Sequence, residues 1–238
     1  MVGTGPEGLD SAVARVTICN WAEEVILDTF VKVPVEVTDY RTFVSGIEAK
    51  HLEGDDALTL TEVRKIVKSI LHGKILIGHA LENDLAALQI DHPWHDIRDS
   101  ANYPPFMKAA ESDSTTLRPR KLKELVRDYL GRDIQHLGVA HDPIEDAISA
   151  LCLYKSVRLD WEKSVMMQVA SARLKETGEI EPPLIKNGHN NRYRPKKQTT
   201  RMEHPTYSRS RSAPTPTGMT YYRGYGYHTS YYPHQNCS

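Results

Sequence analysis

The fold is decided by Lys74-Ile75-Leu76-Ile77-Gly78-His79-Ala80-Leu81-Glu82-Asn83-Asp84-Leu85, one stretch of a 238-residue chain. Residues 74–78 are a short, almost continuously apolar run, which is typical of a buried parallel strand. A helix is predicted over about 80–89, directly after that strand. Asp84 is therefore expected near the carboxyl end of the strand, where open α/β sheets place their functional sites.

The segments on either side of this unit predict further strands and helices of an α/β protein. Apolar alternation predicts two strands joined as a hairpin, and apolar stripes at helical spacing predict helices. One helix has a capping box, with Thr59 and Glu62 at its start and Gly73 after its end. In chain order the predicted elements are strands at 12–20 and 24–33, a helix at about 59–72, a short strand near 95–98, a helix from Pro119 to Leu130, and a last helix from Asp142-Pro143 to about 160. This order indicates a sheet flanked by helices.

Charge divides the chain into an acidic body and a basic tail. Residues 1–170 carry 19 Lys and Arg against 27 Asp and Glu, whereas residues 171–238 carry 11 against 4. Eight of the twelve tyrosines lie in 193–238, where aliphatic residues are scarce. Such a segment cannot offset its ordering entropy by apolar burial. We predict a globular domain over 1–165 and a disordered tail, rich in Tyr, Pro, Ser and Arg, over 166–238.

Cysteine use and hydropathy indicate an intracellular protein. Cys19 and Cys152 lie in apolar runs and are interpreted as core residues, and Cys237 lies in the tail. Three cysteines do not form a disulfide framework, which suits a reducing compartment. No apolar stretch approaches the ~18 residues of a membrane span, so no membrane partner is predicted.

Two segments carry side chains suited to phosphodiester hydrolysis. Such hydrolysis by two metal ions needs carboxylates from different elements, and a general base that titrates near neutral pH. Asp84 is one candidate carboxylate, and His141-Asp142-Pro143-Ile144-Glu145-Asp146 supplies another together with a histidine. Local patterns also allow a simpler interpretation, in which Asp142 caps a helix and Asp146 is a solvated acid on its face.

Taken together, the segments resemble the DEDDh family of 3′–5′ exonucleases, and within it the RNA exonuclease 4 and interferon-stimulated exonuclease group. The resemblance covers about residues 1–163. Besides the two acidic segments, it includes Ala14-Arg15-Val16, Val37-Thr38-Asp39-Tyr40-Arg41-Thr42, Ser45-Gly46-Ile47, Asp91-His92-Pro93, Ile97-Arg98-Asp99 and 122–131.

This resemblance implies a role for each candidate residue. Asp84 and Asp146 match two of the four family carboxylates that hold Mg²⁺ or Mn²⁺, and His141 matches the general base. His79 and Asn83 are interpreted as substrate-binding residues. The resemblance further implies a ribonuclease H-like fold, release of nucleoside 5′-monophosphates, and a nuclear or nucleolar role in RNA processing, including that of rRNA.

The sequence departs from the family pattern at its start. Met1-Val2-Gly3-Thr4-Gly5 resembles the end of the first motif, whose Asp and Glu would lie before Met1. Glu7 and Asp10 follow the turn and are poor substitutes for those acids. We expect the first central strand to be largely missing and the chain as printed to be inactive. Because such a loss would unpair buried strand edges, we also expect the missing residues to lie upstream.

Two functions are predicted from these observations. The first is a 3′–5′ exonuclease acting on single-stranded 3′ ends, with RNA expected as the substrate and DNA left open. The alternative is a non-catalytic nucleic-acid-binding protein that uses the same domain and the tail, in which Tyr221-Tyr222-Arg223-Gly224-Tyr225-Gly226-Tyr227 resembles RNA-contacting sequence. Tyrosines there would stack on bases and arginines would neutralise phosphates.

Overall fold

The computed structural model describes residues 1–110 and 115–177, so most of the predicted tail lies outside the described residues. The strands of this part are β1 (Val2–Thr4), β2 (Asp10–Ala12), β3 (Arg15–Cys19), β4 (Val25–Lys32), β5 (Val37–Asp39), β6 (Leu58–Thr59), β7 (Leu76–Gly78), β8 (Ile97–Asp99), β9 (Lys108–Ala109) and β10 (Leu117–Arg118). The helices are α1 (Thr42–Ser45), α2 (Ala49–Glu53), α3 (Leu60–Leu71), α4 (Leu81–Leu88), α5 (Leu122–Leu130) and α6 (Pro143–Thr177). Single 3₁₀ turns occupy Pro6–Gly8, Trp94–Asp96 and Pro104–Phe106.

The predicted hairpin is confirmed by β3 and β4. The two strands pair antiparallel from Arg15 opposite Phe30 to Cys19 opposite Val25, with an irregularity at the Cys19 end. The turn is closed by Asn20, whose side-chain oxygen accepts the backbone N–H groups of Ala22 and Glu24. On its other edge β4 pairs in parallel with β6, which gives the order β3-β4-β6.

The predicted strand at 74–78 forms as β7 and lies in a separate ladder. It pairs in parallel with β8, the strand predicted near 95–98. Among the described residues β7 pairs only with β8, and β3 only with β4. The short β1 pairs with β2 and β5 and does not join β3 to β7. In the described part of the chain, β3-β4-β6 and β7-β8 are therefore separate ladders.

Helix α3 follows from local sequence signals, as predicted. Thr59 and Glu62 form the reciprocal capping box, with each side chain accepting the other's backbone N–H. Val63, Val67 and Leu71 are buried on one face and pack in a core cluster with Val31 of β4. Gly73 follows with φ of 64°, in the left-handed region that ends helices at glycine.

Two helix boundaries differ from the prediction. Helix α5 begins at Leu122 rather than at Pro119, because residues 117–118 pair as β10 with β9 and Lys121 is the N-cap. Helix α6 begins at Pro143 as predicted but continues to Thr177, with a break in helical geometry at Val157. It continues because Trp161, beyond the break, is 5% exposed and stacks on Tyr103 with ring centroids 4.0 Å apart.

An ion pair between a buried arginine and a partly exposed glutamate joins α6 to the edge of the β7–β8 ladder. Arg98 of β8 is 3% exposed and donates two hydrogen bonds to the Glu162 carboxylate, of 2.6 and 2.8 Å. The Tyr154 hydroxyl donates a third, of 2.8 Å. Because Asp99 follows Arg98 directly, this pair holds the strand that borders the candidate site.

Within residues 1–110 and 115–177, no helix combines the length and apolar character needed to cross a lipid bilayer.

Candidate active site

The connection between β7 and α4 is held by a buried carboxylate from the neighbouring strand. Ala80, the residue before α4, has φ of 57°, a left-handed conformation that is uncommon for alanine. The Asp99 carboxylate accepts the backbone N–H groups of Ala80 and Leu81 at 2.7 and 3.1 Å. It thereby takes the place of a side-chain cap at the start of the helix.

Asp99 also organises its own strand end. It accepts the backbone N–H of Ala101 at 2.9 Å and the side-chain amide of Asn102 at 3.0 Å, and it is 8% exposed. Sequence reasoning did not assign it a function. The available signal was an acid at the end of a predicted short strand, in the segment Ile97-Arg98-Asp99.

Asp84 lies in the first turn of α4 and lines a cleft of about 630 Å³. Burial raises the pKa of the Asp84 carboxyl above its ordinary value, and the Asp99 charge adds to the rise, whereas the Met1 ammonium opposes it. The residue as a whole is nevertheless solvent-exposed, so its carboxylate is accessible from the open space of the cleft. The cleft is lined by Met1, Ser11, His79, Ala80, Asn83, Asp84, Ala86 and Ala87.

The two predicted substrate-binding residues line the same cleft. The Asn83 amide donates a hydrogen bond of 3.3 Å to the Ala80 carbonyl. His79 Nδ1 lies 2.9 Å from the Ser100 hydroxyl. Burial lowers the pKa of His79, against a smaller upward contribution from Asp99. The structure thus brings His79, Asn83 and Asp84 together, while their roles stay predictions.

Asp146 lies in the first turn of α6, as predicted. Asp142 accepts the Ile144 N–H at 3.0 Å, in agreement with its predicted capping role. The Gln135 amide donates to Asp146 Oδ1 at 2.9 Å, and His141 Nδ1 lies 3.9 Å from Oδ2. Burial raises the pKa of Asp146, and the Gln135 hydrogen bond and the His141 charge oppose the rise. Gln135 is a further residue that sequence reasoning missed.

His141 is held through its backbone and leaves its side chain 40% exposed. Its N–H donates to the Val44 carbonyl of α1 at 2.9 Å. Arg41, just before α1, donates to the Ser11 hydroxyl at 3.1 Å and to the Gly8 carbonyl at 2.8 Å. Since Ser11 lines the cleft, α1 connects the cleft wall with the segment that carries His141.

The described residues do not form a metal centre by themselves. Carboxylate oxygens are the donors that Mg²⁺ prefers, and Asp84 and Asp146 are such donors. In the described part of the chain, however, no group of three or more His, Cys, Asp or Glu side chains converges on one point. Glu7 and Asp10 are exposed, and neither lines the cleft. The metal-ligand roles of Asp84 and Asp146 therefore stay predictions.

Comparison with known proteins identifies relatives of this chain. No protein-family model matches it. It is 42% identical over 190 residues to RNA exonuclease 4 of Cryptococcus neoformans, covering 79% of this chain and 44% of that protein. It is 44% identical over 164 residues to RNA exonuclease 4 of Aspergillus fumigatus, covering 68% and 50%. The chain therefore spans about half the length of the curated relatives it matches.

A solved structure supports the fold. The Pan2 pseudoubiquitin hydrolase-RNA exonuclease module of Saccharomyces cerevisiae, in complex with A7 RNA, is 28% identical with a TM-score of 0.56. The match covers 76% of this chain and 31% of that one. The predicted ribonuclease H-like α/β fold and the resemblance to the RNA exonuclease 4 group of DEDD-type exonucleases are confirmed.

Proposed function

Because proteins named RNA exonuclease 4 are relatives of this chain, we propose that it is a 3′–5′ exonuclease acting on single-stranded RNA. The observation that carries the proposal is the cleft at the carboxyl end of β7, where His79, Asn83 and Asp84 meet. This is the edge at which open α/β sheets bind ligands. A solved neighbour with the same fold is an RNA exonuclease module in complex with RNA.

In this proposal His141 is the general base. Its Nδ1 faces Asp146, so Nε2 is the ring nitrogen left to accept a proton from the attacking water. The Asp146 carboxylate would stabilise the imidazolium that forms. Gln135 restricts the orientation of that carboxylate by donating to its other oxygen.

We also propose dependence on Mg²⁺ or Mn²⁺, which when bound would neutralise charge on the phosphodiester. Asp84 and Asp146 would contribute ligands, and among the described residues no cluster of three or more His, Cys, Asp or Glu side chains includes them. The need for the further carboxylates that the family resemblance implies is tested by comparing the chain with a form to which an Asp-x-Glu segment has been added ahead of Met1.

The test is an assay with single-stranded RNA labelled at its 5′ end. The form carrying the added acids should shorten the RNA stepwise from its 3′ end with Mn²⁺ or Mg²⁺ and release 5′-monophosphates, whereas the printed chain should be at least ~100-fold slower. Asp146→Asn and His141→Ala, made in the active form, should each lower the rate by a factor of ~100 or more. Their unfolding midpoints should stay close to that of the parent.

The matched control is Asp142→Asn, which keeps a capping oxygen at the start of α6 and should change the rate less than about threefold. Retained metal-dependent hydrolysis in both Asp146→Asn and His141→Ala would contradict the site assignment. Cleavage that starts from the 5′ end would contradict the proposed polarity.

A second candidate is a non-catalytic protein that binds single-stranded nucleic acid. The observation in its favour is that Asp84 and Asp146, within residues 1–110 and 115–177, are not part of a three-donor cluster. It predicts salt-sensitive RNA binding with no hydrolysis, even after the acids are added.

We further propose a nuclear or nucleolar role in RNA processing, which would include rRNA. Imaging of the tagged full-length protein, and sequencing of RNA 3′ ends after its depletion, would check this. Exclusive cytoplasmic signal with unchanged 3′ ends would contradict it.

A further inference from the structure

His79 is held by a short chain of hydrogen bonds that determines which ring nitrogen carries the proton. Its Nδ1 lies 2.9 Å from Ser100 Oγ, and that hydroxyl lies 2.9 Å from the Gly78 carbonyl oxygen. A serine hydroxyl has one hydrogen to donate. If that hydrogen goes to Gly78, then Ser100 Oγ must accept from Nδ1.

The opposite assignment is unfavourable. If the hydroxyl donated to Nδ1, two oxygen acceptors would face each other at 2.9 Å with no hydrogen between them. Ser100 is 2% exposed, so water cannot relieve that contact. The neutral ring is also favoured, because burial lowers the pKa of His79. Nδ1 therefore bears the proton, and Nε2 presents a lone pair.

Nε2 is an acceptor available to a ligand in the cleft. His79 lines the cleft with Asn83 and Asp84, and among residues 1–110 and 115–177 no side chain or backbone group is bonded to Nε2. A lone pair has no hydrogen to offer a phosphate oxygen, so its partner must be a donor. Mg²⁺ is a poor alternative because it prefers oxygen ligands.

The donor groups of an RNA 3′ end are ribose hydroxyls and the amino and ring N–H groups of the bases. The hydroxyls lie next to the phosphodiester in every nucleotide, whereas the amino groups change with the base. Because Asp84 is the residue proposed to act at the phosphodiester, a partner nearby is more simply a hydroxyl. We propose that His79 Nε2 accepts a hydrogen bond from a hydroxyl of the terminal ribose, an inference that rests on the proposed exonuclease function.

The test measures binding and needs no catalysis. Fluorescence anisotropy with EDTA present would compare three oligonucleotides that differ only at the 3′-terminal nucleotide, which is ribo, 2′-deoxy or 3′-deoxy. Wild-type protein should bind the ribo end about 3- to 10-fold more tightly than one of the deoxy ends, as expected for one neutral hydrogen bond. The deoxy end that binds weakly identifies the hydroxyl.

The variant for comparison is His79→Asn, whose side-chain amide can still donate toward Ser100 but has no counterpart of Nε2. Its affinities for the three ends should be equal within a factor of about two, and its affinity for the weakly bound deoxy end should match that of wild type. Thermal unfolding would verify that the variant is folded.

Three results would overturn the inference while leaving the proposed function standing. The first is equal binding of all three ends by wild type. The second is a preference for the ribo end that is retained in His79→Asn. The third is an equal loss of affinity for all three ends in His79→Asn, which would mean that His79 has a structural role. If wild type does not bind RNA at all, both this inference and the proposal that RNA is the substrate are overturned.

Discussion

At the scale of single residues, Asp99 is the side chain on which the candidate site depends most. It accepts hydrogen bonds from the backbone of Ala80 and Leu81 on one side and from Ala101 and Asn102 on the other. A buried carboxylate tolerates desolvation when its lone pairs are used in this way. Asp84 owes its position to this contact, since α4 begins at the residues that Asp99 caps.

Replacement of Asp99 by alanine should destabilise the protein strongly. The change leaves several buried N–H groups without an acceptor, and we expect a loss of about 2–4 kcal/mol in the free energy of unfolding. Urea titration followed by circular dichroism would measure it. Asp91→Ala is the matched control, because Asp91 is exposed. It should change the free energy of unfolding by no more than about 0.5 kcal/mol. Equal effects of the two variants would contradict the capping role.

At the scale of elements, the pair between Arg98 of β8 and Glu162 of α6 ties the ladder beside the site to the last helix. Arg98 is almost completely buried, and residue 162 lies beyond the break at Val157. The Arg98 hydrogen bonds, assisted by one from Tyr154, hold the pKa of Glu162 below its ordinary value, against burial. Burial also raises the pKa of Tyr154 to about 12, so its hydroxyl remains a donor near neutral pH.

The Glu162→Gln variant should show a loss of stability that depends on pH. Because the folded-state pKa of Glu162 is depressed, its stabilisation is present above the unfolded value near 4.5 and is lost as pH falls through the folded value. We expect the variant to be less stable by roughly 1–3 kcal/mol at pH 7, since the buried Arg98 loses its counter-charge while water screens part of the loss at the 30% exposed Glu162 side chain. Urea titrations at pH 7 and at several pH values below 4.5 should show that the difference in unfolding free energy between wild type and variant becomes smaller as the pH falls.

The control for this pH prediction is Asp160→Asn. It removes the exposed partner of Lys163, whose side chain is 69% exposed against 80% for Asp160. Exposed pairs of this kind contribute about 0–1 kcal/mol. The difference in the free energy of unfolding between wild type and Glu162→Gln could instead stay constant down to strongly acidic pH. That result would show that the pair of Arg98 and Glu162 does not stabilise the protein through the Glu162 charge.

At the scale of the whole molecule, the opposite charges of body and tail predict how RNA is held. The body is acidic and the segment 171–238 is basic, so nonspecific attraction to a polyanion is expected from the tail. That segment lies almost entirely outside the described residues, and the prediction rests on its composition alone.

Deletion of residues 183–238 should weaken RNA binding and reduce its salt dependence. A chain that releases fewer counterions on binding has a shallower slope of log affinity against log salt, by about 0.7 for each phosphate of a single strand that the protein no longer neutralises. Anisotropy titrations between low and high NaCl would measure both effects. An unchanged slope after the deletion would exclude the tail as the source of attraction, and would weaken the alternative of a non-catalytic binding protein.

Much of the fold could be predicted because its signals are local. The capping box of α3, the hairpin of β3 and β4, and the start of α6 at Asp142-Pro143 each depend on residues a few positions apart. The apolar run 74–78 and the helix after it likewise predicted Asp84 in that helix, near the carboxyl end of the strand. Short-range preferences of this kind are properties of the chain itself.

What only the tertiary structure decided are contacts between residues distant in the chain. Asp99 caps α4 from 19 positions away, Gln135 reaches Asp146 across 11, and Arg98 meets Glu162 across 64. The same applies to the Ser100 contact that sets the proton position on His79. No periodicity encodes such pairings, because they depend on how elements pack after they form. The sequence thus identified the chemical groups, and packing determined their orientation and protonation.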